Sequence, residues 1–355
     1  MKKIVISSLL ALSVFIINTA NADQGCDKNY YLPTIDHKAP KVDAYNFVRA
    51  ETDIQMKGYS SAPFTFGQFT HGRKAYDVDH QVTLSGNRDT IYSFGVFDLS
   101  KSDLTITLPD SKGKYMTLMP ISQDHDVYRG LNAPGTYTFK KSEVGTRYMV
   151  FVIRTLMNPN DPKDMARAHK LQDGVKVSQS DKGDISGLQA WDEESMLAMR
   201  QAYNTLGSVA TSSANFFGVK CERSYLDASM GVAVGWGGMQ QKDALYLPSQ
   251  VAKNDGKTAY TITIPKEVPV DGFWSVTIYN QKRFMVKNEY NSYSLNSLTS
   301  KKNADGTTTL HLGGDPKAEN YLYIPKDWLY IVRFYQPHKE ILNGSWVFPK
   351  AIEVK

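Results

Sequence analysis

The sequence predicts a mainly β protein with a helical segment in its middle: an N-terminal immunoglobulin-like β-sandwich and a C-terminal jelly-roll-like β-sandwich. Three observations carry the two-sandwich reading. Short alternating apolar segments separated by turn residues fill residues 76–155 and return from about 244. Between them the apolar spacing turns helical. Hydrophobic residues make up 41% of the 355 residues and charged residues 22%, enough to bury a core and too apolar for a disordered chain.

The elements follow in order. Lys2 and Lys3, the apolar run Ile4 to Ile17 and the small-x-small site Ala20-Asn21-Ala22 read as a secretory signal peptide over residues 1–22. This places the mature chain in the periplasm or outside the cell. No other apolar run is long enough to cross a membrane, and a mean hydropathy of −0.39 excludes a polytopic membrane protein. Residues 41–58 read as a helix with Tyr45, Val48, Thr52 and Met56 on one stripe and Gly58 as its stop. Arg49 and Asp53 on it are spaced for an i,i+4 pair.

Strands are expected at 91–98, 104–109, 115–121, 135–139 and 147–155, completing a first domain over 41–155. Residues 156–243 read as a helical linking segment. Met165, Ala168, Leu171 and Gln172 mark a short helix. Met196, Met199, Tyr203 and Leu206 mark a longer one, with Asp192, Glu193 and Glu194 at its start. Residues 214–225 read as helix or loop. Strands at 258–265, 273–280, 307–314, 328–337 and near the end make a second domain over 244–355, with Asn254-Asp255-Gly256 and Asp305-Gly306 as hairpin turns.

The formal net charge of +5 is spread along the chain without a basic block, so nucleic acid is not implied as a partner. Cys26 and Cys221 are the only cysteines. In an exported chain they are expected to form one disulfide, with two separate thiols as the alternative. The chain carries no G-x-S-x-G elbow, H-E-x-x-H, C-x-x-C or phosphate-binding loop. Two acid–imidazole clusters, Asp77, Asp79 and His80, and Asp124, His125 and Asp126, have metal-capable chemistry. They read more simply as solvated turns, and no metal or cofactor is assigned.

Several segments together carry a resemblance: Phe47 to Asp53, Asn87 to Ser93, Gly145 to Tyr148, Val152 to Thr155, Val234 to Gly238, Val268 to Ser275 followed by Tyr279-Asn280, and Leu342 to Trp346. In this order and spacing they resemble the exported bacterial-type proteins that carry a DUF1254 domain followed by a DUF1214 domain. The likeness runs from about residue 41 to 352. It implies the immunoglobulin-like sandwich, the helical segment and the jelly-roll-like sandwich; it implies no activity. One departure is visible. Many relatives read Asn-Cys-Leu-Pro near the end, where this chain has Asn320-Tyr321-Leu322-Tyr323, which removes any thiol role there.

The residues themselves give a candidate site. Asn87, Arg88 and Asp89 form a dense polar triplet before a strand, able to recognise a carboxylate or a sugar, or to close a loop internally. Tyr92, Trp236 and Trp274 are aromatic candidates for the wall of a ligand cleft, or for core filling. The reading places Arg88, Asp89, Tyr92, Trp236 and Trp274 in one cavity between the domains, the competing reading being separate structural roles. Two functions follow: a non-catalytic exported protein that binds a small molecule in the cleft, or a periplasmic hydrolase of an ester, glycoside or phosphate. For a glycosidase, Glu51, Asp53 and Asp89 are the acids to inspect.

Overall fold

The structure, a computed structural model, describes residues 39–81 and 84–355. The stretch at 1–22 that reads as a signal peptide, and Cys26, lie outside the described residues.

The chain opens with helix α1 (Phe47–Gly58), followed by strands β1 (Thr70–His71), β2 (Thr90–Asp98), β3 (Leu104–Leu108), β4 (Met116–Ser122), β5 (Leu131–Asn132) and β6 (Gly135–Phe139). The short helix α2 (Lys141–Val144), β7 (Tyr148–Leu156), α3 (Pro162–Asp173) and β8 (Lys176–Ser178) come next, then the helices α4 (Glu193–Ser208) and α5 (Tyr225–Gly235). The last part holds β9 (Ala244–Ser249), β10 (Tyr260–Ile264), β11 (Val270–Asn280), β12 (Ser294–Asn296), β13 (Thr308–Leu312), β14 (Tyr321–Leu322), β15 (Trp328–Pro337), α6 (Lys339–Leu342) and β16 (Ile352–Glu353).

Two β-sandwiches result. In the first, the sheet β1-β2-β7-β4-β5 packs on β6-β3-β8 around Phe97, Leu104, Ile106, Leu118, Phe151 and Ile153. In the second, β12-β11-β15-β9 packs on β14-β13-β10-β16 around Ile262, Trp274, Val276, Leu310, Trp328 and Val332. Strand pairing is antiparallel except between β13 and β14. The period-two rule explains how the domains join. On β7 the odd residues Met149, Phe151 and Ile153 fill the first core, and the even residues Tyr148, Val150 and Val152 turn the other way. On β15 and β11, Tyr335 and Phe273 turn away from the second core and meet that same face of β7 and its neighbours. The large sheet of the first sandwich and the β11–β15 sheet are therefore covered on both faces, which is why β7 and β15 read as near-continuous apolar runs.

Helices α1, α4 and α5 form a separate layer around Phe47, Val48, Met196, Tyr203, Ala228 and Val232. Asp192 caps α4 by accepting from the Ser195 N–H at 3.0 Å, and Ser224 caps α5 by accepting from Asp227 at 3.1 Å.

Several local expectations are corrected. Tyr45 precedes α1 and is exposed, so the buried stripe starts at Phe47. Arg49 pairs with Asp124 rather than with Asp53, because Asp53 faces inward and is taken by other donors. The segment read as a helical link over 156–243 also contains β8, which completes the first sandwich by pairing with β3. Residues 214–224 are loop and turn, and α5 begins where that span ends. The turns at Asn254–Gly256 and Asp305–Gly306 are real, with Gly256 and Gly306 at φ 75° and 87°. They do not close hairpins: each links a strand of one sheet to a strand of the facing sheet. Turn chemistry fixes a reversal of the chain, and burial decides which strand it then pairs with.

Candidate functional site

The segment Ser85 to Asp89 crosses from the first sandwich to the outer face of the β11–β15 sheet and is stapled there. Arg333 donates to the Ser85 carbonyl at 2.8 Å, Tyr279 to the Gly86 carbonyl at 2.6 Å, and Asn87 Nδ2 to the Tyr335 hydroxyl at 2.6 Å. Asp89 Oδ1 accepts from Ser294 Oγ and Asn296 Nδ2, both at 3.0 Å. The triplet that the sequence marks thus joins the domains, and Asn87 is consumed by that role.

Asp89 is not fully consumed. It is 1% exposed, and its second carboxylate oxygen, Oδ2, is buried without a hydrogen-bond partner. Ser275 pairs with Asn296 in the β-ladder, so their side chains share a face, and the Ser275 hydroxyl is likewise buried and unpartnered. Beside them lies a cavity of about 150 Å³, walled by Arg88, Asp89, Asn158 and Asn160 from the first domain and by Tyr293 and Asn296, among others, from the second. Arg88 lies over the Tyr293 ring at 5.1 Å and donates to the Tyr76 carbonyl; it makes no ion pair with Asp89. Burial holds its pKa below the ordinary arginine value. Asn291 reaches across the domains to Asn160 at 3.1 Å. The walls are rich in groups that both donate and accept, and Asp89 among them carries an unsatisfied acceptor.

The other predicted site residues are elsewhere. Tyr92 lies on β2 beside Arg154, whose guanidinium carbon is 5.4 Å from its ring. Trp236 ends α5, donates to Thr52 Oγ1 at 3.2 Å, and has its ring 5.6 Å from that of His125. Its glycine neighbours make a tight turn: a Cβ on Gly238 would meet the Phe217 ring at 2.3 Å. Trp274 is 6% exposed inside the second core. The strand alternation sends Phe273, not Trp274, to the interdomain side. One cavity therefore holds Arg88 and Asp89, without Tyr92, Trp236 or Trp274 among its walls.

The remaining acids have structural partners. Glu51 receives Arg200 through both oxygens at 2.8 and 3.0 Å, and Gln55 at 3.1 Å. Asp53 accepts from Gln123 at 2.6 Å and Trp191 at 2.9 Å; burial is the larger influence and raises its pKa. His125 accepts from the Gly237 N–H at 3.0 Å through Nε2, and burial holds its pKa well below the ordinary value, so it is a neutral chain anchor. Asp77 pairs with His80, and Asp79 with Lys287, at the surface. Among the described residues no group of three or more His, Cys, Asp or Glu is arranged to hold a metal ion, and no cysteine is free.

Sequence reasoning passed over Arg154 and Arg333, both buried on the interdomain faces. Their signal was present: each is a charge inside an apolar strand run, Val152-Ile153-Arg154 and Ile331-Val332-Arg333-Phe334.

Comparison with known proteins agrees with the two-domain layout. Residues 66–179 match the model of DUF1254 and residues 244–339 that of DUF1214, each described as a protein of unknown function. No curated protein matches the sequence. The crystal structure of the VPA0106 protein from Vibrio parahaemolyticus is similar, with TM-score 0.63 and 17% identity over 88% of this chain and 98% of that one. An uncharacterized protein from Burkholderia cenocepacia gives TM-score 0.46 and 13% identity over 90% and 92% of the two chains. The first of these likenesses supports the fold alone. No described helix is long and apolar enough to cross a membrane. The chain belongs to the two-domain family in which a DUF1254 domain is followed by a DUF1214 domain.

Proposed function

We propose that the exported chain is a binding protein for a small hydroxylated molecule held between the two sandwiches. The observation that carries this reading is Asp89 Oδ2, a buried carboxylate oxygen with no partner beside a polar cavity of about 150 Å³. Leaving a buried acceptor unpaired costs about 1–3 kcal/mol, more when it is charged, so a ligand hydroxyl placed there gains a strong bond. The asparagine amides and the Ser294 hydroxyl suit a ligand whose groups both donate and accept. The volume suits a molecule of roughly six to eight non-hydrogen atoms. Siting at a domain interface fits the general placement of ligand pockets. A hydrolase is the less supported reading: Glu51 and Asp53 are both engaged in structural bonds, which leaves Asp89 without a second carboxylate among the acids that the sequence singled out.

The test is saturation-transfer NMR with glycerol and erythritol on the wild type and on Asp89→Asn. The amide keeps an acceptor for Ser294 and Asn296 and replaces the open oxygen. A polyol signal in the wild type that is lost in the variant supports the reading; no signal, or equal signals, contradicts it. Turnover of chromogenic esters, glycosides or phosphates by the wild type, lost in Asp89→Asn, would move the chain to the hydrolase class.

A further inference from the structure

We propose that Arg154 forms a second interdomain site, distinct from the Asp89 cavity, that takes a small singly charged organic carboxylate. The argument starts from the strand. Arg154 is an even residue of β7 and shares its face with Tyr148, Val150 and Val152, which pack in the interdomain core. The ladder sets Tyr92 and Thr117 directly beside it. It is 7% exposed. A charge in such a place is normally paired, because taking it out of water is expensive.

Arg154 is not paired in that way. Its one hydrogen bond goes to the sulfur of Met119, a weak acceptor, at 3.5 Å, and it makes no ion pair with any described residue. Arg333 shows the alternative. That guanidinium donates to Thr277, Ser85 and Tyr279 at 2.6–3.0 Å, and Asp89 is among the charges that hold its pKa up. Two arginines on facing surfaces thus differ in one respect: Arg333 has protein oxygens for its fork, and Arg154 has a sulfur.

A second, independent observation points the same way. The Tyr115 hydroxyl is buried and has no hydrogen-bond partner. Burial keeps its pKa far above the ordinary value, and Arg154 is the foremost charge acting on it. A protonated phenol and an open guanidinium are both donors, and what satisfies two donors is an acceptor with two oxygens.

The ligand class follows from charge and shape. One unbalanced guanidinium neutralises one negative charge, which fits a carboxylate better than a phosphate dianion. The planar fork matches a carboxylate in two-point contact. Met119, Val152 and the Tyr92 and Phe94 rings give the surroundings an apolar character suited to the body of an organic acid.

The full mature chain is titrated with hexanoate, and with hexylamine and inorganic phosphate as controls, by calorimetry and by melting temperature. Hexanoate should bind and raise the melting temperature with concentration, and hexylamine should do neither. Arg154→Gln should abolish the response. Tyr115→Phe, which keeps the ring and removes only an unpartnered hydroxyl, should fold normally and bind hexanoate about tenfold more weakly. Asp89→Asn should bind hexanoate as the wild type does, and Arg154→Gln should keep any polyol signal, so failure of one site is distinguishable from failure of the other. The proposal is overturned if hexanoate does not bind, if phosphate binds more tightly, or if Tyr115→Phe binds hexanoate as the wild type does. A folded Arg154→Gln that still responds would overturn it equally.

Discussion

The helical layer and the interdomain floor both bury charge, and they treat it in opposite ways. In the layer of α1, α4 and α5, both oxygens of Glu51 and of Asp53 are occupied by protein donors. On the floor between the sandwiches, Asp89 keeps one bare oxygen, Tyr115 a bare hydroxyl, and Arg154 one hydrogen bond, to sulfur, beside the face of the Tyr92 ring. Buried polar groups are satisfied in the great majority of cases. A closed network such as that of Glu51 and Arg200 is therefore what a structural charge looks like, and the open groups on the floor are the ones we propose to meet a ligand. Burial and acidity alone do not separate Glu51 and Asp53 from Asp89; the number of occupied carboxylate oxygens does.

This contrast can be broken most forcefully from the structural side. Arg200→Met should leave Glu51 buried without its counter-ion and cost about 3–5 kcal/mol, read as a large fall in the denaturation midpoint; a change within error would mean that the layer tolerates an open charge as the floor does. Trp274→Ala should cost about 3–5 kcal/mol as well, because it empties the second core. Retained stability with lost binding would instead return Trp274 to the site.

Smaller effects sharpen the comparison by pH. Burial pushes the Asp164 carboxyl up, but Arg167, Lys114 and the Asn158 N–H together hold it below the ordinary carboxylate range. A depressed folded pKa means that Asp164 adds stability above its unfolded value of about 3.9 and loses it as pH falls through the folded value. Asp164→Asn should therefore be less stable at neutral pH and converge on the wild type in acid. Parallel stability curves for the two proteins would contradict the sign. The smallest change in stability is expected for Asp89→Asn, a few degrees in melting temperature at most, because the Ser294 and Asn296 bonds keep an acceptor.

Much of the architecture was legible in the chain. Apolar runs bounded by turn residues at 147–155 and 328–337, and the alternation in 273–280, locate the strands that became β7, β15 and β11, and the Met196–Tyr203 spacing locates α4. The partners of the strands were not legible. Asn254-Asp255-Gly256 specifies a turn whichever sheet the next strand joins, and Lys176–Ser178 is too short and too exposed to announce that it completes a sandwich. The site was half legible. Asn87-Arg88-Asp89 stood out as a polar cluster, and two of its three members, Arg88 and Asp89, line the cavity. The alternation in Phe273-Trp274 showed that the two rings face opposite ways but could not show which way is the core. Arg154 was hidden because a lone charge in an apolar strand acquires meaning only when a second sheet covers that face.

The most direct measurement is the NMR comparison of erythritol binding by wild type and Asp89→Asn, with melting temperatures recorded on the same samples. The expected result is a saturation-transfer signal in the wild type that disappears in the variant while the melting temperature moves by a few degrees at most. Signals of equal strength in the two proteins, or none in the wild type, would show that the open oxygen of Asp89 is not a ligand acceptor.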